Sequence, residues 1–438
     1  MAWCRDEVFI FNVRDVAYCH NNEGDDVGGA GDILFERNTQ YYSNQGCPAA
    51  HGVTHGLGPC SHGRNMFGRG AGHNATRDLS QNTPMRSSPA VIKAARRCVD
   101  FVEEYPDIMD WIKMHQIDMF LSVMIGVTPD LSNPKTSHPL KQLPEDEEHA
   151  FVSGFILSVF IKWPWLLKSL DKQYEKAMDN MTSAGVNELR DKFLKLPPEQ
   201  RPDCFFRSLL ETEGVTEKDA EQLMALFIVA FQGNASLTLH NALFHISNHP
   251  EVQQKLYEEC MEASKLDDPT SHPMEYLRAI FKESHRLTPI TPLTQVRLYS
   301  HDLVLPSGYV VPAGTRVTML NKFSTRDPEL VARCDEFVPT RFLEEADGKG
   351  DKNLNGFLQS SEFGSSLRSC LGRRTVTVML KAIVVELFTR YRLEASPAKK
   401  SFEFDPRDPA FNRIKDYPKI VLHPREHKAD GADAYPVG

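Results

Sequence analysis

The chain has 438 residues, 41% hydrophobic and 25% charged, with a formal net charge of −9 and a pI near 6.0. That is a globular composition, long enough for one large domain or two to three average ones, and its acidic balance argues against nucleic acid as a partner. Nine cysteines at irregular spacing read as reduced thiols inside a cell, not as a secreted disulfide framework.

Residues 1–85 form an irregular Gly-, His- and Asn-rich segment, expected to be loops or disorder. Cys47, His51, His55, Cys60 and His62 cluster within it, but their spacing matches no usual zinc layout, and a His/Gly-rich loop is the better reading. The N-terminus shows neither a signal-peptide layout nor the acid-poor composition of a transit peptide. From about residue 86 the apolar residues fall at i, i+3 and i+4. SPAVIKAARRCVDFVEEY, DIMDWIKMHQIDMFLSVMIGV, EDEEHAFVSGFILSVFI and LDKQYEKAMDNMTSAGVNELRDKFLK are read as successive helices. A further helix runs from Thr216 to the stop at Pro250, about 32 residues or 48 Å. QGNAS (232–236) interrupts its pattern, which implies a kink, a close packing contact, or a groove where the helix passes a ligand. HPEVQQKLYEECMEASK and MEYLRAIFKESHRL continue the helical run. TQVRLYS and LVLPSGYVVPAGTRVTMLN then read as short strands turned at Ser307-Gly308 and Ala313-Gly314. A last helix, TVTVMLKAIVVELFTRY, leads to terminal strands, and 426–438 is a flexible tail. No run reaches the roughly 20 apolar residues that a membrane-spanning helix needs. The fold class is mainly α with a small mixed β region.

Three motifs carry chemistry. In FGSSLRSCLGRR, Cys370 sits between Arg368 and Gly372, just ahead of a helix. Taken alone it is a structural cysteine, a thiolate stabilised by a helix N-terminus, or a cysteinate ligand to haem iron. Glu283 and Arg286 are i, i+3 neighbours on a helix and can pair; exposed, such a pair is worth only a few tenths of a kcal/mol. PTRF supplies Arg341, which would complete a buried network if it reached Glu283.

Glu-x-x-Arg, Pro-x-Arg-Phe and Phe-Gly-x-x-x-Arg-x-Cys-x-Gly, in this order and spacing, resemble the cytochrome P450 haem-thiolate family, over about residues 88–425. The resemblance implies a P450 domain over 86–425, with haem b as cofactor and Cys370 as the axial iron ligand. Arg368 and Arg297 would bind haem propionates, Phe363 would lie against the haem, and His73 and Arg77 in HNATR would match a further propionate-binding pair. Glu283, Arg286 and Arg341 would form a structural triad. YLRAIFKESHRL, FSTRDPE and CLGRR resemble the animal-type mitochondrial branch, whose members take electrons from a ferredoxin. Arg278, Lys282, Arg373 and Arg374 are then the patch for that acidic partner, where the plain alternative is solvated surface charge. The implied location is the mitochondrion, peripheral to the inner membrane, with the endoplasmic reticulum or cytoplasm as alternatives. Residues 155–167, with Trp163 and Trp165, would touch a membrane surface or pack in the core.

The implied function is hydroxylation of a lipophilic, sterol-like substrate with O2. Two departures qualify it. The stretch 230–236 lacks the acid that the family's monooxygenases usually carry beside the oxygen site, leaving Gly233, Asn234 and Ser236 as the candidate catalytic residues. QGN also resembles branches that rearrange peroxides without external electrons, so an isomerase or dehydratase stays open. The unfamiliar first 85 residues, a divergent or incomplete start to the fold, leave a degenerate haem-binding remnant as a third reading.

Overall fold

Two helices that are apolar on nearly every side sit at the centre, and the others wrap them. The computed structural model describes residues 88–142, 186–212, 215–291, 295–299, 301–319, 325–328, 331–343, 362–363, 370, 372–399, 401–406 and 411–425, the backbone of 7–10, and positions 145, 172 and 176. In chain order the elements are β1 (Glu7–Ile10), α1 (Ser88–Asp100), α2 (Ile108–Met124), α3 (Asn187–Leu194), α4 (Phe205–Leu210), α5 (Glu217–Asn248), α6 (Pro250–Ala263) and α7 (Glu275–Leu287). Strands β2 (Gln295–Leu298), β3 (Leu303–Val304), β4 (Val310–Val311) and β5 (Arg316–Met319) follow, then α8 (Arg373–Arg390), β6 (Tyr391–Ser396) and β7 (Lys419–Pro424).

The central pair is α2 and α5. Asp107 caps α2 by accepting from the Met109 N–H at 2.8 Å. The Thr216 carbonyl takes the Ala220 N–H at 3.0 Å at the start of α5. Phe120 stacks on Phe231 between the two helices, with ring centroids 4.5 Å apart. Helix α1 buries the stripe Val91, Ala94, Ala95, Cys98 and Val99. Trp111 of α2, fully buried, donates to the Cys98 carbonyl at 3.0 Å. The last helix closes on the first: Arg96 meets Glu386 at 2.9 Å, and Arg390 pairs with Asp100 and Glu386. Gln253 of α6 acts as a strand neighbour to β6, donating to the Leu393 carbonyl at 2.8 Å and accepting the Leu393 N–H at 2.7 Å.

The β region is mixed, as the pattern predicts. Strand β5 lies between β1, to which it is parallel, and β2, to which it is antiparallel. β3–β4 and β6–β7 are antiparallel hairpins. Gly308 and Gly314 turn with φ of 86° and 77°, in the left-handed region that explains their choice. Within 1–85, Glu7–Ile10 form a strand and not the loop expected there. The Cys/His cluster at 47–62, most of the helix over 145–161, the segment 155–167 and the tail 426–438 lie outside the described residues. Of the long helix expected from 170 to 195, the described part is helical at Asn187–Leu194. No described helix is long and apolar enough to cross a membrane.

The interruption at 232–236 does not break α5, which runs unbroken through it. Asn234 and Thr238 turn their side chains back onto carbonyls of the same helix, Ala230 at 2.8 Å and Asn234 at 2.7 Å. Gln232 instead reaches across to the Lys113 carbonyl of α2 at 3.0 Å, so the polar residues here include a packing contact.

Three histidines are buried against rings: His115 on Trp111, His240 on Tyr417 and His245 on Phe337. Burial holds all three neutral, pushing His115 down to about 3 and the other two well below the ordinary value. The unfolded chain protonates them below a pH of about 6.5. Their contribution is therefore fully present above that pH and lost as pH falls, with a slope of up to about 1.4 kcal/mol per pH unit for each histidine. The urea midpoint is expected to drop between roughly pH 7 and pH 5. It should drop less steeply in His115→Phe, whose ring can still stack on Trp111.

Candidate functional site

The site rests on a buried carboxylate. Glu283 and Arg286, one turn apart on α7, have no exposed side-chain surface. Arg286 grips the carboxylate as a fork, with Nε on Oε2 and Nη2 on Oε1, both at 2.8 Å. Its remaining donors reach the carbonyls of Thr325, Cys334 and Glu336. Arg341 completes the network: Nε donates to Glu283 Oε1 at 3.0 Å, and its two other nitrogens take the Ala332 and Arg333 carbonyls at 2.8 and 3.2 Å. The Val338 N–H donates to the same Oε1 at 2.8 Å. The irregular segment 331–343 is thus tied to one helix by charge-assisted bonds, which its own backbone, lacking a ladder, does not provide.

Cys370 lies at the entrance to α8. Its N–H donates to the Phe363 carbonyl at 2.6 Å, and its carbonyl accepts the Arg373 N–H at 3.3 Å. The thiol is exposed, yet crowding by protein is the main cause that pushes it up from its ordinary value. Hydrogen bonds from the Gly372 and Arg373 backbone, and the Arg373 charge, pull the other way and favour thiolate. Gly372 has an ordinary helical φ of −76°. Among the described residues, a Cβ there would lie 3.9 Å from the Cys370 sulfur, an ordinary van der Waals contact, so this glycine sits directly beside the sulfur.

The other expected residues divide. Phe363 is beside Cys370, with the Arg373 guanidinium 5.5 Å over its ring. Arg297 lies on β2 opposite Val317, while Arg368, His73 and Arg77 are outside the described residues. On α5, Asn234 and Ser236 stand about 160° apart at 100° per residue, so they do not face one ligand together. Ser236 shares the face of Gln232 one turn away, is buried, and has no hydrogen-bond partner among the described residues. Gly233 lies between the two faces.

Three of the four basic residues converge. Arg278 and Lys282 on α7 and Arg373 on α8 all act on Glu362, a residue that the motif reading passed over. Burial pushes the Glu362 carboxyl up to about 7, against the pull of Lys282, Arg373 and Arg278. The legible signal was an acid directly ahead of Phe363 in a loop otherwise rich in arginine. Arg374 is exposed on the first turn of α8.

The Cys370 thiol is thus exposed at a helix N-terminus, with backbone donors and the Arg373 charge beside it. The family model of cytochrome P450 matches residues 90–420, and the chain belongs to that family. Among similar proteins, mouse (Mus musculus) mitochondrial sterol 26-hydroxylase is 28% identical over 304 residues, 64% of this chain and 54% of that one. The probable cytochrome P450 12c1, mitochondrial, of Drosophila melanogaster is 31% identical over 261 residues, 54% of this chain and 48% of its own. Lithocholate 6-beta-hydroxylase of Mesocricetus auratus is 25% identical over 328 residues, 71% and 61% respectively. The chain spans about half the length of the first two. The family binds haem through a cysteine thiolate, and the residues here fit that group: an accessible sulfur, backbone donors turned to it, and a glycine directly beside it.

Removing one partner of a buried ion pair costs about 3–5 kcal/mol. Glu283→Ala is therefore expected to lower the urea midpoint steeply. Arg341→Ala should lower it less, since the Arg341 side chain keeps 13% of its surface exposed.

Proposed function

We propose that the protein is a haem-thiolate monooxygenase of mitochondrial type that hydroxylates a lipophilic substrate with O2 and electrons from a ferredoxin. The observation that carries this reading is the Cys370 sulfur, exposed at the head of α8, where the Gly372 and Arg373 backbone and the Arg373 charge favour thiolate against the larger opposing effect of burial. When bound, haem b would supply the activation of O2 and the insertion of one oxygen atom into a C–H bond, with the thiolate lending electron density to the iron.

The chain's own residues take the remaining roles. Cys370 holds the iron, and Phe363 and Arg373 fix the loop around it. Arg297, Arg368, His73 and Arg77 bind the propionates. The Glu283, Arg286 and Arg341 network keeps the segment before the cysteine loop in place. Arg278, Lys282, Arg373 and Arg374 receive the acidic donor on the sulfur side of the site, Arg373 being three residues from the ligand. A sterol-like substrate and a mitochondrial location draw support from the names of the relatives, and 155–167 would be the peripheral membrane contact.

One observation favours a second reading. No carboxylate occurs over 230–236, so α5 brings no acid to move protons to bound oxygen. Asn234 Nδ2 is engaged with its own helix, which leaves the amide oxygen as its free acceptor on that face. An isomerase or dehydratase using a preformed peroxide needs no such proton supply.

The test is the visible spectrum of the dithionite-reduced protein under carbon monoxide, beside Cys370→Ala. A strongly red-shifted Soret band that disappears in the variant is expected; an unshifted band or haem-free protein would sink both readings and leave a remnant of the family. Ferredoxin-supported hydroxylation across a lipid panel then separates the first reading from reductase-free turnover of hydroperoxides.

A further inference from the structure

The two central helices meet through more than apolar side chains. Gln232 of α5 donates from Nε2 to the Lys113 carbonyl of α2 at 3.0 Å. A helix carbonyl points to the turn ahead, so this bond lands at the level of Gln116 and Ile117. One turn past Gln116, Phe120 stacks on Phe231, the neighbour of Gln232. Gln116 therefore leaves α2 between two contacts with α5, and it has no exposed surface. Along α5, Ser236 and His240 follow Gln232 at successive turns, a row of about 12 Å. None of the four is more than 5% exposed.

Polar atoms along this row lack hydrogen-bond partners among the described residues: both amide atoms of Gln116, Gln232 Oε1, Ser236 Oγ and both ring nitrogens of His240. Local partners do not serve them. Because a carbonyl only accepts, the Gln232 amide cannot be turned round, and its oxygen is left to find a donor. Asn234 and Thr238 bond back to carbonyls of their own helix, and Ser236 between them does not. Tyr417 stacks on the His240 ring at 3.6 Å, but its hydroxyl is spent on the His240 carbonyl at 2.8 Å. A neutral imidazole carries one N–H and one bare nitrogen, so His240 calls for both an acceptor and a donor. Buried groups left unpaired are costly, and native proteins pair nearly all of them.

We propose that the seam between α2 and α5 is a buried water site, in which a row of ordered waters links Gln116, Gln232, Ser236 and His240. Water is the ligand that this chemistry selects, since the side chains are neutral and offer donors and acceptors together. A buried water makes about three hydrogen bonds, so these atoms call for about two or three waters. The site is separate from the candidate oxygen side of α5: Gln232 and Ser236 each stand about 160° around the helix from Asn234. The waters anchor α5 to α2 on that far side, beside the stack of Phe120 on Phe231.

The experiment is a crystal structure of the full-length protein at a resolution that shows ordered water, with relaxation dispersion of solvent water to count the molecules held inside. Expected are waters within hydrogen-bonding reach of Gln232 Oε1, Gln116 and Ser236, and a count of long-lived waters that falls in Gln116→Leu and in Ser236→Ala. Gln116→Leu should also lower the urea midpoint, although it buries an apolar group, because it takes partners from the waters and from Gln232 Oε1. A dry seam, with Gln116 Nε2 bonded directly to Gln232 Oε1 and Ser236 turned back on its own helix, would overturn the inference. So would a higher midpoint in Gln116→Leu with an unchanged water count, the mark of a core relieved of unpaired polar groups. Ser236→Ala, the smaller change, decides the water count should Gln116→Leu fail to fold.

Discussion

The carboxylate of Glu283 is the fixed point of this molecule. It is fully buried, and the cost of burying it is offset by a two-pronged bond from Arg286, one from Arg341 and one from the Val338 N–H. The other hydrogen bonds of these two guanidiniums go to backbone carbonyls between Thr325 and Glu336. A stretch without regular structure thereby acquires a defined path. That path fixes where the chain stands as it approaches the cysteine loop.

The loop itself uses a different principle. Burial opposes charge on the Cys370 sulfur, and the head of α8 restores part of what burial removes. An 18-residue helix beginning three residues on brings the Gly372 and Arg373 backbone to the sulfur, and Arg373 adds a full charge. Arg373 serves three neighbours at once: the sulfur, the Phe363 ring and the Glu362 carboxylate. Ligand support and surface electrostatics therefore meet in one side chain.

Much of this was legible in the sequence, for physical reasons that differ by element. Helices α1, α2, α5 and α8 were visible because an apolar stripe or an apolar run long enough to be central has few alternatives. The pairing of Glu283 with Arg286 followed from helical spacing; that Arg341 joins them depends on 58 residues of intervening chain, and only the spaced motifs pointed to it. Of the readings open for 232–236, the close packing contact is the one Gln232 makes with α2, while the amide and hydroxyl side chains of Asn234 and Thr238 bond to their own helix and leave it whole. The strand at Glu7–Ile10 was missed because four residues pairing with Arg316–Met319 leave no local period. Glu362 was missed because its role comes from charges on two other elements, invisible in a local window.

The meeting of the first and last helices also governs how the chain can be made. Arg96 and Glu386 are 290 residues apart in sequence yet in contact, and Gln253 waits for Leu393 across 140. While the chain is being synthesised, α2 can cover part of the α1 stripe early, as Trp111 bonding to the Cys98 carbonyl shows, but the part that α8 covers waits until residues 373–390 have emerged. Completion of this core therefore comes late in synthesis, after its first helix pair. A chain stopped before α8 would leave one face of α1 open and would lack the partners of Arg96 and Asp100.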